Sequence, residues 1–328
     1  MLIDDPDQSG VTVLEPEDDP VRVVHPDAEE SRVVPLRGLQ PVPYSRCRLA
    51  WVKPYLALRK PWLVAHRGGA RLAPENTLPA FDLAARLGAD AFELDVHLTA
   101  DGEVVVFHDD ETSRLTGAPG TIEARTLAEI RALDAGFGFT PDTGRSFPWR
   151  GRGVFVPTLR ELLHRHTAMR MNVEAKSSAP ALAEALVRVV REARAVDRVC
   201  LGSQHDEQGE RIRALLPEAC HFLPEQAAGA HVMASRVEGA TGAPEGWDVA
   251  DLPFLMGGTT IRVVDRRAVA WFHARSMAIF AWTVDEEADM RELLAAGVDG
   301  IMTDRPDVLA RVLGRTLTRS SASRTAPR

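Results

Sequence analysis

The sequence has little of what would place it outside the ordinary globular proteins. Its 328 residues include three cysteines and two tyrosines. Cys47, Cys200 and Cys220 are far apart and match neither a disulfide framework nor a zinc-site spacing. No apolar run approaches the roughly 18 residues of a membrane-spanning helix, and the acidic N-terminus lacks the regions of a signal peptide. These absences favour a reduced protein of the cytoplasm.

The sequence also has no excess of positive charge. Basic residues number 39 against 47 acidic ones, which gives a net charge of −8, so we expect no nucleic-acid partner. Hydrophobic residues make up 45% and charged residues 26% of the chain. This balance excludes a fully disordered, collagen-like or coiled-coil protein and allows a packed core.

Composition divides the chain into three parts. Residues 1–60 are predicted to be an acidic, largely disordered leader that ends in a basic and aromatic segment. Residues 314–328 are predicted to be a disordered basic tail. The part between them, residues 61–313, is close to the roughly 250 residues of an eightfold β/α barrel.

Within residues 61–313, short β-branched runs alternate with segments of helical period, as in parallel strands joined by helices. This pattern predicts an α/β fold, a (β/α)8 TIM barrel with an insertion after strand 3 and a long connection after strand 6. The predicted strands are Trp62–His66, Ala91–Asp95, Glu103–Phe107, Met171–Glu174, Val199–Gly202, His221–Leu223, Ala278–Trp282 and Gly300–Met302. The predicted helices are Asn76–Leu87, Ala181–Ala193, Gln208–Leu216, Glu286–Ala296 and Pro306–Leu313, with one more beginning near Thr158.

Two connections, residues 109–170 and 224–277, are too long for simple loops. Such loops lie on the catalytic face of a barrel, so both are candidates for contacting and selecting the substrate. For the first connection, a structural plug is an equally good interpretation.

Three carboxylates fall at the carboxyl ends of predicted strands. Glu93 and Asp95 are two residues apart, so both side chains project to one face of a strand, and Glu174 adds a third oxygen ligand from another strand. Oxygen ligands without cysteine describe a site for a hard cation, Mg²⁺ or Ca²⁺, and make zinc the weaker choice. An acidic pair alone is more often a solvated strand face, but strand ends at a barrel mouth favour a site.

Two histidines and two cationic residues share the same predicted strand ends. Because histidine titrates near neutral pH, one of His66 and His108 can accept a proton while the other donates one, as general acid-base hydrolysis requires. Arg67 and Lys176 add positive charge suited to a phosphate diester. Trp282 ends the predicted seventh strand and either floors the pocket or belongs to the core.

The motifs that contain these residues resemble the glycerophosphodiester phosphodiesterase family. Six of them occur in the family's order across about residues 63–309: HRGGARLAPENTLPAF, GADAFELDVHLTADGEVVVFHD, VPTLRELL, NVEAK, AWTVD and GVDGIMTDRP. The resemblance implies a TIM barrel in which His66 and His108 are the catalytic pair and Glu93, Asp95 and Glu174 hold the divalent cation. It further implies that Arg67 contacts the phosphate and that the products are an alcohol and glycerol phosphate. Direct attack by water and formation of a cyclic phosphate both stay open.

Three further interpretations concern the substrate and the partners. The doubled glycine after His66-Arg67 and the apolar connection 224–277 resemble the lysophospholipase D branch, which would make lysophospholipids the substrate. Residues 44–62 mix basic and aromatic side chains, as peripheral membrane segments do, although an inward-facing helix that covers the barrel bottom is the favoured alternative. A barrel that binds phosphorylated ligands or a membrane without turnover is a third alternative, which the complete set of catalytic side chains disfavours.

Overall fold

The computed structural model describes residues 53–241 and 243–315. Its strands are β1 (Trp62–His66), β2 (Ala91–Leu98), β3 (Val104–Val106), β4 (Arg170–Ala175), β5 (Val199–Gly202), β6 (Cys220–His221), β7 (Val249–Pro253), β8 (Ala278–Trp282) and β9 (Gly300–Thr303). Its α-helices are α1 (Leu78–Arg86), α2 (Ser113–Thr116), α3 (Leu127–Arg131), α4 (Leu159–Arg165), α5 (Pro180–Glu192), α6 (Asp206–Leu215), α7 (Glu225–Ala234), α8 (Arg266–His273), α9 (Glu287–Ala296) and α10 (Pro306–Val312). The five helices predicted with both bounds lie within two residues of those bounds.

Eight of these strands form a parallel barrel. Their order around the sheet is β6-β5-β4-β2-β1-β9-β8-β7, and a parallel bridge between Phe222 and Val249 brings the two edges together. The predicted α/β barrel is therefore confirmed. Because the strands are parallel, their carboxyl ends meet at one mouth, where barrels of this kind carry their chemistry.

The barrel interior is apolar below this mouth. Side chains from alternate positions of the strands fill it, which is the period-two pattern of a strand that has one face turned inward. The buried cluster comprises Tyr55, Trp62, Val64, Ala91, Cys200, Cys220, Phe222, Val249, Ala278, Phe280 and Met302. The other faces of the strands pack against the helices in two larger clusters.

The predicted third barrel strand, Glu103–Phe107, is wrong as a barrel strand. Residues Val104–Val106 form β3, which runs antiparallel to β2 and lies outside the barrel. Only residues 99–103 separate the two strands, and Gly102 in their turn has a φ of +84°. Such a turn closes a hairpin, whereas a parallel neighbour needs a crossover of a dozen residues or more. The insertion therefore follows a hairpin.

The eighth barrel strand is β7, which the prediction lacks; it lies inside the predicted long connection 224–277. That connection is instead α7, β7 and α8. The signal for β7 is weak because Asp251 and Pro253 interrupt its apolar run, and both residues normally argue against a central strand.

The insertion between β3 and β4 packs around a cluster of its own. Phe107, Leu115, Ile122, Ile130 and Val156 are buried there together with Val105 of β3. The insertion is therefore a packed lobe beside the hairpin.

The described part of the basic and aromatic segment lies at the end of the barrel opposite the mouth. Tyr55 and Trp62 are fully buried, with ring centroids 5.3 Å apart. Arg170 Nε donates to the Tyr55 carbonyl at 2.6 Å, which fixes this cover to β4. The predicted leader up to residue 52 and the predicted tail from residue 316 lie outside the described residues. None of the helices in residues 53–241 and 243–315 combines the length and the apolar character needed to cross a membrane.

Candidate active site

The turn after β1 brings the backbone of Arg67 against the metal cluster predicted from the sequence. Arg67, Gly68 and Gly69 have consecutive φ values of +51°, +82° and +95°. A Cβ atom on Gly68 would lie 2.9 Å from the Cβ of Ala80, so the turn needs glycine there. The Arg67 amide donates to Glu93 Oε2 at 3.0 Å.

The structure brings the three predicted metal ligands together. Oxygens of Glu93, Asp95 and Glu174 lie within 4.8 Å of one another, and Asp95 is directly opposite Glu174 in the β2–β4 register. Burial and the neighbouring Asp95 raise the pKa of Glu93 to about 8. Crowded carboxylates repel one another unless a cation neutralises them, and an all-oxygen donor set fits a hard divalent cation.

Two cationic side chains partly offset this negative charge. Lys176 Nζ lies 3.1 Å from Asp95 Oδ1 and 3.1 Å from Glu174 Oε2, and Arg67 Nε lies 3.4 Å from Asp95 Oδ2. Burial raises the pKa of Asp95, but the charges of Lys176 and Arg67 outweigh it, so the pKa lies below its ordinary value. Asn76 donates a further hydrogen bond to Asp95 at 2.9 Å. Asp95 is therefore ionised, whereas Glu93 holds its proton more tightly.

Asp304 orients His66. His66 Nδ1 donates to Asp304 Oδ1 at 2.7 Å, which leaves Nε2 as the nitrogen that can exchange a proton; it lies 3.8 Å from Glu93 Oε2. Burial lowers the pKa of His66, but the charge of Glu93 and the bond to Asp304 outweigh burial and raise it.

A second carboxylate orients His108 in the same way. His108 Nδ1 donates to Asp109 Oδ1 at 2.7 Å, and Arg114 holds Asp109 from its other side at 2.6 Å. Burial and the charge of the nearby Arg67 lower the pKa of His108. The charge of Asp95 opposes them, but the pKa stays below its ordinary value. The two histidines are thus shifted in opposite directions.

The hairpin explains how His108 reaches the mouth. The strand β2 continues past the barrel to Leu98, and β3 runs back beside it, so that Phe107 donates its amide to the Asp95 carbonyl. His97, buried on the extended part of β2, donates from Nε2 to the His108 carbonyl at 3.1 Å. His108 therefore returns to the level of the carboxylates.

All eight predicted site residues line one cavity of about 610 Å³. They are His66, Arg67, Glu93, Asp95, His108, Glu174, Lys176 and Trp282. Trp282 is 40% exposed at the mouth, so the interpretation as a core tryptophan is wrong. No lining residue comes from residues 109–170, so this connection contributes no wall of the cavity; it supports His108 through Arg114.

The cavity has two chemically different halves. The charged half is formed by β1, β2, β4 and the hairpin. The opposite half, from β6 to β8 and the segments that follow them, is largely apolar and includes Phe222, Leu223, Ala228, Val232, Met233, Leu252, Met256 and Val263.

Sequence reasoning missed several supporting residues. Asp304 follows the last barrel strand, so the strand-end criterion that selected His66 would have found it. Glu75 links Arg67 and Arg114 by ion pairs of 2.9 and 2.8 Å, and no strand pattern marks it. Asp251 lies on β7, the strand that the prediction lacked. Burial raises its pKa to about 7, although a hydrogen bond from Asn172 acts in the opposite direction.

Comparison with known proteins assigns this geometry to a family. The sequence model of the glycerophosphoryl diester phosphodiesterase family matches residues 66–308. The chain belongs to this family. It is 34% identical over 257 residues to a glycerophosphodiester phosphodiesterase of Caldanaerobacter subterraneus, an alignment that covers 76% of this chain and 96% of the relative.

Solved structures of glycerophosphodiester phosphodiesterases share the barrel. The corresponding domain of a Mycobacterium tuberculosis protein has a TM-score of 0.70 at 21% identity and covers 79% of this chain and 100% of its own, which shows the fold. An Oleispira antarctica phosphodiesterase, solved with its product sn-glycerol-3-phosphate, has a TM-score of 0.62 at 26% identity. It covers 77% of this chain and 97% of its own. The assignment predicted from the motifs, a phosphodiesterase of this family, is confirmed.

Proposed function

We propose that the protein hydrolyses glycerophosphodiesters to an alcohol and glycerol 3-phosphate. The observation that carries the proposal is the pair of histidines, each oriented by its own carboxylate, beside a cluster of three carboxylates. In this arrangement one histidine takes a proton from the nucleophile while the other donates one to the departing alkoxide. The product that the Oleispira antarctica relative binds supports glycerol phosphate as the product.

Glu93, Asp95 and Glu174 are proposed to hold the divalent cation, Mg²⁺ or Ca²⁺. When bound, such a cation supplies Lewis-acid polarisation of a phosphoryl oxygen. Arg67 and Lys176 bind the phosphate and neutralise charge that develops on its oxygens. The bonds that His66 and His108 donate to Asp304 and Asp109 keep Nε2 of each histidine available for proton transfer.

Phosphorus NMR tests this function directly. Chelator-stripped protein is given glycerophosphocholine, and Mg²⁺ or Ca²⁺ is restored separately; we expect cation-dependent release of glycerol phosphate. His66→Ala and His108→Ala are each expected to lower the rate at least about 100-fold. The matched control is His164→Ala, which alters an exposed histidine of α4 outside the cavity. A folded variant of either site histidine with a near-native rate would contradict its role.

A second candidate substrate class is supported by the apolar half of the cavity. Phe222, Leu223 and Val232 line it, and Met233 and Met256 are 67% and 49% exposed at its rim. These side chains suit the acyl chain of a lysophospholipid, which the same chemistry would convert into lysophosphatidic or cyclic phosphatidic acid. A rate that rises with acyl-chain length would favour this candidate over glycerophosphodiesters.

A further inference from the structure

A carboxyl group of β7 lies on the floor of the cavity and is bonded across the barrel. Asn172 of β4 donates from Nδ2 to Asp251 Oδ2 at 2.5 Å. The two strands are three places apart around the barrel, so this bond crosses the interior. Asn172 precedes Glu174 by two residues on the same face of β4, and both Asn172 and Asp251 line the cavity. The pair therefore lies between the charged half and the apolar half.

The carboxyl group of Asp251 is incompletely satisfied. Its Oδ1 exposes less than 1 Å² and has no hydrogen-bond partner among residues 53–241 and 243–315. Within those residues Asp251 also forms no ion pair, whereas Asp95 and Glu174 share Lys176. A buried acceptor without a partner costs free energy. Asp251 as a whole is only partly buried and lines the cavity, so a small shift of its side chain would expose this oxygen to a ligand that supplies the missing donor.

The substrate of the proposed reaction offers such a donor on one side only. The phosphate is attracted to Arg67, to Lys176 and to the cation proposed for the carboxylate cluster, so it belongs in the charged half. The glycerol moiety carries free hydroxyl groups, which donate hydrogen bonds. A hydroxyl is also small enough to reach an oxygen that a bulky quaternary ammonium group cannot contact closely.

We propose, on the basis of the proposed function, that Asp251 is a specificity residue whose carboxyl group accepts a hydrogen bond from a glycerol hydroxyl. Asn172 holds the carboxyl group in place through the cross-barrel bond. With the glycerol moiety on the floor, the alcohol moiety points to the mouth. The phosphorus–oxygen bond to the alcohol then breaks, water supplies the new oxygen on phosphorus, and the alcohol leaves with a proton. Asp251 thereby selects which of the two ester bonds is cleaved.

The test compares a substrate that has a glycerol moiety with one that has none. Wild type, Asp251→Leu and Asp251→Asn are assayed with glycerophosphocholine and with bis(4-nitrophenyl) phosphate. Asp251→Leu is expected to lose about 10- to 100-fold in kcat/KM on glycerophosphocholine, chiefly through KM, and less than about 2-fold on the aryl diester. The share of choline phosphate among the products, read by phosphorus NMR, is expected to rise. Asp251→Asn is expected to fall between wild type and Asp251→Leu because its amide oxygen still accepts.

The matched control is Asp248→Asn. Asp248 is a half-buried carboxylate three residues before Asp251 that accepts the amide of His221 and lies outside the cavity. The control is expected to retain wild-type kinetics on both substrates. If Asp251→Leu does not fold, Asp251→Asn decides, and the expected result is a loss on glycerophosphocholine without a loss on the aryl diester.

Four results would overturn the inference. Unchanged kinetics would show that Asp251 has no role, and equal losses on both substrates would show a purely structural one. A loss confined to glycerophosphocholine and absent with glycerophosphoglycerol would assign Asp251 to the cationic alcohol instead. An unchanged product ratio would remove its control over bond selection. A wild-type protein that is inactive on every glycerophosphodiester would instead refute the proposed function, so the two failures are distinguishable.

Discussion

The ring orientations of the two site histidines are set by carboxylates that bond to their Nδ1 atoms. Each histidine donates from Nδ1 to a carboxylate, Asp304 for His66 and Asp109 for His108, both at 2.7 Å. This bond fixes the tautomer of the neutral ring and the direction of Nε2. The two backing carboxylates differ in their own support, since Arg114 braces Asp109 whereas the backbone of Asp304 is held by Asp285 at 2.8 Å.

Replacing Asp304 tests this arrangement. Asp304→Asn keeps the size of the side chain but can donate where the carboxylate accepted, which favours the wrong tautomer of His66. We expect kcat to fall at least about 10-fold with KM little changed. Steady-state kinetics with glycerophosphocholine measures both constants.

The control for Asp304→Asn is Asp307→Asn, which removes a carboxylate of α10 that pairs with Arg305 at 2.9 Å, away from the cavity. It is expected to leave kcat unchanged. A native kcat in Asp304→Asn would show that His66 does not need this partner.

Residue-scale prediction from the sequence reaches the strand ends and little beyond them. The eight predicted site residues line one cavity because parallel strands end at one mouth. Of their supports, Asp304 also follows a strand end but lies 238 residues from its partner His66, whereas Glu75, 39 residues from Arg114, is marked by no strand pattern. Hydrogen bonds between such distant positions depend on the folded backbone, which no local pattern encodes.

At the scale of elements, the prediction misassigns two strands and still places His108 in the site. The prediction counts β3 as a barrel strand and omits β7, because β3 is a run of three valines whereas β7 contains Asp251 and Pro253. His108 nevertheless belongs to the site, because the antiparallel hairpin returns the chain to Asp95. Strand propensity reports how well side chains fit a half-buried surface, so it cannot distinguish a barrel strand from a hairpin arm.

The insertion after the hairpin supports the site through close backbone packing. Gly138 donates its amide to the Leu115 carbonyl, and a Cβ atom on Gly138 would lie 2.4 Å from the Arg114 carbonyl oxygen. Gly138→Ala must separate these backbones, at a cost of about 1–3 kcal/mol. Because Arg114 braces Asp109, we expect a lower kcat together with a melting temperature lowered by about 2–4 °C per kcal/mol.

Gly229→Ala is the control for this packing effect. Gly229 lies in α7 with no heavy atom within 4 Å of an added Cβ, so alanine is expected to leave stability unchanged or raise it by up to about 1 kcal/mol. Thermal unfolding is measured for both variants, and kcat is measured for Gly138→Ala alone because Gly229 lines the cavity. A Gly138→Ala protein with native values of both would show that the insertion yields without moving Arg114.

At the scale of the whole molecule, the barrel separates charge from apolar surface around one cavity. Charged side chains from β1, β2 and β4 surround the site of the proposed cation, and apolar side chains from β6 to β8 face them. The fold tolerates buried carboxylates at its mouth only while their charge is balanced, so the balance contributes to the stability of the barrel itself.

This balance predicts a pH-dependent effect of divalent cations on unfolding. The pKa of Glu93 rises from 4.5 to about 8 in the folded protein, so folding without a cation binds protons and stability falls as the pH rises from about 4.5 to about 8. A cation competes with those protons. At one fixed concentration, about 100 times the Kd that applies at pH 8, the cation should add about 2.7 kcal/mol at pH 8, or about 5–10 °C in melting temperature, and less at lower pH. Glu93→Gln and Glu174→Gln should reduce the shift, while Glu225→Gln, at the rim of the same cavity, should preserve it.

Scanning calorimetry of chelator-treated protein at several pH values measures this effect. A cation-induced shift in melting temperature that is independent of pH, or that survives both cluster substitutions, would place the cation elsewhere.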